Sequence, residues 1–226
     1  MSLDEKTKIL VPAIVSIGKR YSVTKIILFG SRARGDNTSK SDIDLAVYGA
    51  SNEALFNAEI DELDTLLKFD IVHIADNTSP ALINNIKKDG IVLMDKLSTK
   101  LNNFTSALAR LKEACEEYRA TNSQVVRDGV IQRFEFTTEL AWKATREYLL
   151  DQGYTDVNSP KAVMKVAFSE GLVEDDIGWV ELLNARNTTS HVYDEQQAEK
   201  IYNDIAEKYI FLFEGLNAKL ANLCRN

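Results

Sequence analysis

A run of apolar, largely β-branched residues, Lys25 to Phe29, feeds straight into Gly30-Ser31-Arg32-Ala33-Arg34-Gly35-Asp36-Asn37-Thr38-Ser39-Lys40-Ser41-Asp42-Ile43-Asp44. That order predicts a buried strand, a Gly-Ser turn and the start of a short helix. Gly30 lets the backbone come close to a ligand, and Ser31 offers a hydroxyl and an N–H near a helix N-terminus, a seat for an anion. With Ser41 to Tyr48 as a strand, Asp42 and Asp44 project from one face. Two like charges there repel each other unless a cation joins them. Mg²⁺ takes one or two carboxylates plus phosphate oxygens, so a nucleotide's metal suits the pair. A polar turn and an edge strand with two solvated aspartates would explain an isolated Asp-x-Asp. It explains less well the strand, the turn, the ten-residue spacer and the Asp-x-Asp together.

Around this stretch the chain reads as α+β. Residues 4 to 20 are helical, with Ile9, Leu10, Ala13, Ile14 and Ile17 on one side. Asn52 to Lys68 is a second helix, with Leu55, Phe56, Ile60, Leu63 and Leu67 as its buried stripe. Phe69 to Ile74 reads as a strand, Ser79-Pro80 opens a helix that Gly90 ends, and Ile91 to Met94 closes a small mixed sheet. From Leu97 on, only helical patterns remain: 101–118, 123–152, 159–170, 174–185 and 195–223. Gly153 and Gly171 stand where helix ends belong. The expectation is a mixed-sheet domain over 1–96 and an up-and-down helical bundle over 97–226, with residues 95–100 as the hinge.

Net charge is −7 with a pI near 5.0, which excludes a broad basic surface for long DNA. No apolar run reaches membrane-spanning length, and the N-terminus lacks a secretory pattern. Cys115 and Cys224 stand alone, without metal-ligand spacing, as packing residues of a cytoplasmic protein would.

Nucleotidyl transfer needs charge neutralised on the attacking and leaving oxygens, which polymerase-type sites do with two metals on three carboxylates. Asp42 and Asp44 supply two, and Asp70, on a neighbouring strand, is the candidate third. A strand-end carboxylate paired with a basic side chain is the plainer reading of Asp70. His73 reads as packed or hydrogen-bonded. The motif Gly30-Ser31-x10-Asp42-x-Asp44, over roughly the first 95 residues, resembles the signature of the minimal nucleotidyltransferases of the DNA polymerase β superfamily. The resemblance implies ATP as substrate and two Mg²⁺ ions, with Asp42 and Asp44 on both metals. Asp70 then binds the catalytic metal and helps activate the acceptor hydroxyl. It also implies that Gly30 and Ser31 hold the β- and γ-phosphates, with one of Arg32 and Arg34 on the triphosphate.

In the helical half, Asn184-Ala185-Arg186-Asn187-Thr188-Thr189-Ser190-His191-Val192-Tyr193 stands out. On an ideal helix Arg186 and His191 lie about 140° apart, so they share no face. Thr188-Thr189 and Ser190 predict a helix end or bend there, which would let guanidinium and imidazole converge on one phosphate. Arginine holding a phosphodiester and histidine as general acid or base is a minimum set for metal-free RNA cleavage. A capped helix end with an exposed histidine accounts for the same residues.

Arg-x4-His-x-Tyr resembles the motif of HEPN domains. Residues 130–143 and Ser159-Pro160-Lys161 resemble the HEPN subfamily called nucleotidyltransferase substrate-binding proteins. In the residues themselves, Phe134, Phe136, Leu140 and Trp142 read as core, and Glu135 and Glu139 as solvated or as orienting the arginine. The resemblance implies a toxin–antitoxin pair: a dimeric ribonuclease with its motifs meeting at one groove, silenced when AMP from ATP is attached to Tyr193. Finding both halves on one chain departs from the usual arrangement of two partner proteins. A small hydroxylated acceptor held by the helical domain is the alternative.

Overall fold

The structure, a computed structural model, describes residues 3–189 and 194–224. The chain divides into two compact units, Met1–Lys96 and Leu97–Asn226.

The first unit runs α1 (Glu5–Arg20), β1 (Lys25–Phe29), α2 (Gly30–Arg34), β2 (Ile43–Tyr48), α3 (Glu53–Asp61), β3 (Phe69–Ile74), α4 (Pro80–Asp89) and β4 (Ile91–Asp95). The sheet order is β3-β2-β1-β4, with β1 antiparallel to β2 and β4, and β2 parallel to β3. This is the mixed sheet the pattern predicts. The central strands are β1 and β2, and their continuous apolar runs are buried on both faces. One face packs Ile26, Leu28, Ile43, Leu45 and Val47 against Leu10, Ile14 and Ile17 of α1 and Phe56 and Ile60 of α3. The other sets Ile27 and Ala46 against Ile86 of α4.

The apolar stripes are wider than the contact. Ile9 and Leu55, expected inside, are exposed. The second helix is also shorter than its stripe, ending at Asp61 instead of Lys68. Its end carries Asp61, Glu62 and Asp64, charges that oppose the C-terminal end of a helix dipole. Leu63 and Leu67 still pack against the sheet from the irregular segment that follows.

The second unit comprises α5 (Lys96–Thr121), α6 (Gln124–Asp151), α7 (Pro160–Ser169), α8 (Asp176–Thr188), α9 (Glu195–Asp204), a π-helical turn (Ile205–Tyr209) and α10 (Ile210–Leu223). Phe104, Leu111, Phe134, Ala141, Leu182, Phe213 and Leu220 form its core, with Phe134 stacked on Tyr209 at 5.4 Å. Residues 96–100, within the expected hinge, form the first turns of α5, which begins at Lys96 directly after β4. The last helix runs on from Glu195 to Leu223 as expected, with one wide π turn inside it that keeps Ile205, Ala206 and Tyr209 buried alongside Ile210 and Phe213. Phe136, read as core, is exposed, whereas Phe134 is fully buried. Gly153 and Gly171 follow the ends of α6 and α7 with φ of +90° and +68°. Among the described residues, no helix is long and apolar enough to cross a membrane.

Candidate active site

The Gly-Ser turn between β1 and α2 stands directly over a carboxylate. Gly30 has φ +71°, and a Cβ at that position would collide with Oδ2 of Asp44 and fall 2.7 Å from its Cγ. Glycine is required twice here, by the backbone angle and by the approach. Asp44 pairs with Phe29 across β1 and β2, and with Asp70 across the parallel β2 and β3. Residues side by side on neighbouring strands project to the same face, and Asp42, two positions before Asp44, shares it. The structure therefore brings the three predicted carboxylates to one edge of the turn. Asp42 and Asp70 are exposed, and Asp44 is half-buried.

Burial pushes the Asp44 carboxyl above its ordinary range, and the charges of Asp70 and then Asp42 push it the same way. Arg34 and Arg32 oppose them. Among the described residues, no three His, Cys, Asp or Glu side chains close on a point as a ready-made metal cage. Oxygen donors with mutual repulsion nevertheless suit a hard cation that keeps waters and takes its remaining ligands from phosphate. The donor set fits Mg²⁺ delivered with a triphosphate.

The two arginines of the turn differ sharply. The Arg32 side chain is wholly buried. Its Nε donates to the carbonyls of Ser41 (3.0 Å) and Asp42 (3.1 Å), and its Nη2 donates to Ser41 at 2.6 Å. Its Nη1 donates to the Asp4 carboxylate at 3.1 Å and to Thr7 Oγ1 at 3.2 Å. Arg32, taken from the sequence as a phosphate-binding candidate, is instead a clasp. It ties the start of α1 to the backbone that presents Asp42. Arg34 is exposed, 3.2 Å from Asp36, and its charge reaches Asp44. The carbonyl of Ser31 accepts the N–H groups of Gly35 and Asp36, closing the short α2 behind the turn. His73 is packed as expected, with Nε2 2.8 Å from Asn57 Oδ1 and its ring edge-on to Phe56.

In the helical unit, α8 ends at Thr188, as the threonine pair predicts. Thr188 Oγ1 donates to the Ala185 carbonyl, which also accepts the Thr189 N–H, and Thr189 Oγ1 donates to the carbonyl of Arg186. Arg186 is exposed on the last turn. His191 and Tyr193 lie outside the described residues. Arg186 lines a cavity of about 320 Å³ with Glu139, Trp142, Lys161 and Asn184. Glu139 loses some acidity to burial, but hydrogen bonds from Lys143 and Trp142, and the charges of Lys143 and Arg186, hold its carboxyl below the ordinary range.

Arg127 was not legible as a special residue. It is nearly buried on α6, with Nη1 3.4 Å from Glu199 and 4.0 Å from Glu195, and among the described residues its buried Nε has no hydrogen-bond partner. Its signal in the sequence is one cation set among Val125, Val126, Val130 and Ile131.

Residues 13–99 match the family described as polymerase beta, nucleotidyltransferase, and residues 99–222 match nucleotidyltransferase substrate binding protein like. The chain belongs to the nucleotidyltransferase substrate-binding family. This member carries a nucleotidyltransferase domain ahead of the family domain. It is 30% identical over 144 residues to the probable ribonuclease HepT of Haemophilus influenzae, covering 57% of this chain and 97% of that relative. A solved structure from Thermus thermophilus is 35% identical, covers 52% of this chain and 98% of its own, and has a TM-score of 0.48. A second, from Haemophilus influenzae and described as a substrate binding domain of a nucleotidyltransferase, is 25% identical, covers 54% and 98%, and has a TM-score of 0.49.

Proposed function

We propose that the chain transfers AMP from ATP, with Mg²⁺, to Tyr193 of its own or a neighbouring helical unit, and that the AMP silences a ribonuclease built on Arg186 and His191. The observation that carries the transferase half is Asp44 held beside Asp70 in register and under the Cβ-less approach of Gly30. Gly30, Ser31 and Arg34 receive the β- and γ-phosphates. Asp42, Asp44 and Asp70 would hold two Mg²⁺ ions, which neutralise charge on the triphosphate and on the attacking oxygen. The tyrosyl oxygen bonds to the α-phosphorus as the bond to the α–β bridging oxygen breaks. Pyrophosphate leaves, and the hydroxyl proton passes to the exposed Asp70 carboxylate.

The ribonuclease half is supported by the likeness of this chain, over 57% of its length, to a probable ribonuclease. Arg186 grips an RNA phosphodiester and neutral His191 moves the proton, in a homodimer of helical units. A phosphodiester on Tyr193, two residues from His191, adds negative charge and bulk where the RNA phosphate must sit. A second reading, transfer to a small hydroxylated molecule, is favoured by the cavity beside Arg186.

Intact-mass measurement of the purified chain with and without ATP and Mg²⁺ tests the proposal. A gain of AMP units on the peptide containing Tyr193, abolished by Asp42→Asn and by Tyr193→Phe, is the expected result. An unmodified Tyr193 in a protein that still consumes ATP in the presence of a small alcohol would overturn it in favour of the second reading.

A further inference from the structure

Trp142 reads from the sequence as core, yet the structure leaves it half-buried at the wall of the 320 Å³ cavity. Three separate stretches converge on that space: Glu139 and Trp142 from α6, Lys161 from the first turn of α7, and Leu183 and Arg186 from α8. The volume lies near the lower end of the roughly 300–1,000 Å³ that small-molecule sites occupy. Its chemistry is segregated. Trp142 and Leu183 give an apolar wall, Lys161 and Arg186 give positive charge, and Glu139 gives an acceptor. Lys143 adds little for an anion, because its ammonium lies 2.7 Å from Glu139 and 5.7 Å from the centre of the Trp142 ring. Trp142 Nε1 also donates to Glu139 at 2.8 Å, so indole and carboxylate are fixed relative to each other. Among the described residues, the hydrogen bond given to Arg186's side chain is a long one, 3.5 Å, to Asn187 Oδ1.

A free phosphate has no use for the indole wall, and an apolar ligand has none for the two cations. A flat aromatic base carrying a phosphate uses both. We infer that this cavity binds one nucleotide unit, its base against Trp142 and Leu183, its phosphate between Arg186 and Lys161, and a hydroxyl or exocyclic amine donating to Glu139. Trp142 and Glu139 then set which base is accepted beside Arg186. The inference rests on reading Arg186 as a phosphate-binding residue. The unit is either a free mononucleotide or one residue of single-stranded RNA, which offer the same chemistry.

Tryptophan emission separates these sources. The chain has two tryptophans, and Trp179 is 2% exposed in the core, so a ligand-sensitive signal reports Trp142. Full-length Asp42→Asn protein, in chelator to suppress transfer, is titrated with AMP, with inorganic phosphate and with a short single-stranded oligoribonucleotide. A saturable change with AMP, weakened tenfold or more by Arg186→Ala and by Lys161→Ala, is expected for a mononucleotide site. A change confined to the oligomer, with the same dependence, assigns RNA. Equilibrium dialysis of labelled ligand extends the test to tryptophan variants. Trp142→Phe, which keeps a ring, should bind within a few-fold, and Trp142→Ala tenfold more weakly, both with native circular dichroism. Overturning results are no saturable change with either nucleotide ligand on a folded protein, or phosphate binding as tightly as AMP. Loss of adenylylation with this binding intact would remove the proposed transfer and leave the cavity's role standing.

Discussion

Asp44 is the residue on which stability and chemistry pull apart. Its folded-state carboxyl is held above the ordinary value, chiefly by burial, then by Asp70 and Asp42, so the native state binds its proton more tightly than the unfolded chain. Folding stability therefore falls as pH rises from the unfolded carboxylate value through the raised native one, and the whole penalty is present above it. Asp44→Asn removes that penalty. Metal-free variant should melt higher than the parent at neutral pH, the gap closing as pH falls, while AMP transfer drops by orders of magnitude. Thermal melts in chelator across pH 4–8 check this, and a variant that melts lower at neutral pH contradicts it. Arg32 is the converse case, a residue of the motif whose work is structural. Arg32→Ala leaves the Ser41 and Asp42 carbonyls without that donor and takes the charge partner from Asp4, which is partly exposed and still accepts from Thr7, a loss on the order of 1–3 kcal/mol. Arg32→Lys keeps the charge but not the fork and should fall between. Urea melts measure both. A stable Arg32→Ala protein with only a raised KM for ATP would return Arg32 to the phosphate site.

At the scale of elements, the strand–turn–helix of the first unit shows what a sequence can and cannot carry. Gly30, Asp42, Asp44 and Asp70 were readable because strand periodicity fixes which side chains share a face. The parallel register of Asp44 with Asp70 follows once β3 lies beside β2. Arg32 and Arg34 were not separable, since periodicity over a five-residue helix says nothing about what buries one guanidinium. The end of α3 and the π turn were also hidden, because an apolar stripe continues through both. Gly30→Ala should abolish transfer and cost more stability than the about 1 kcal/mol of a strained left-handed residue, because its Cβ meets Asp44. Gly171→Ala is the control: φ is +68° but nothing lies within 4 Å of an added Cβ, so it should cost only the backbone strain. Equal losses in denaturant titrations would refute the close approach. In the helical unit Arg127 anchors α6 to α9 through Glu199 and Glu195, partners 44% and 67% exposed and hence well screened. Among the described residues its Nε gains no hydrogen bond for its burial. Arg127→Met, which keeps the packed stem, should cost less than Arg127→Ala, and the reverse order would show that the stem contributes no packing.

Across the whole molecule, the two units hold separate cores. The helical one encloses residues from Leu101 to Leu220, and the other is built round the sheet from Leu10 to Met94. The ribonuclease-named relative matches 57% of this chain and is itself 97% covered, an extent close to that of the 97–226 unit. Residues 97–226 expressed alone should therefore fold and unfold cooperatively, as circular dichroism would show. On the proposed function, this fragment has lost its silencer: it should cleave RNA, and Arg186→Ala should abolish the cleavage. Full-length protein treated with ATP and Mg²⁺ should not cleave, because tethering keeps the acceptor at an effective concentration far above that of free partners. Adding the full-length chain with ATP to the fragment should then suppress cleavage, with AMP appearing on the fragment's Tyr193. Suppression that needs no ATP would replace covalent silencing with simple occlusion. A folded fragment that leaves RNA intact would reduce the helical unit to a binding element, with the nucleotide cavity beside Arg186 as its working part.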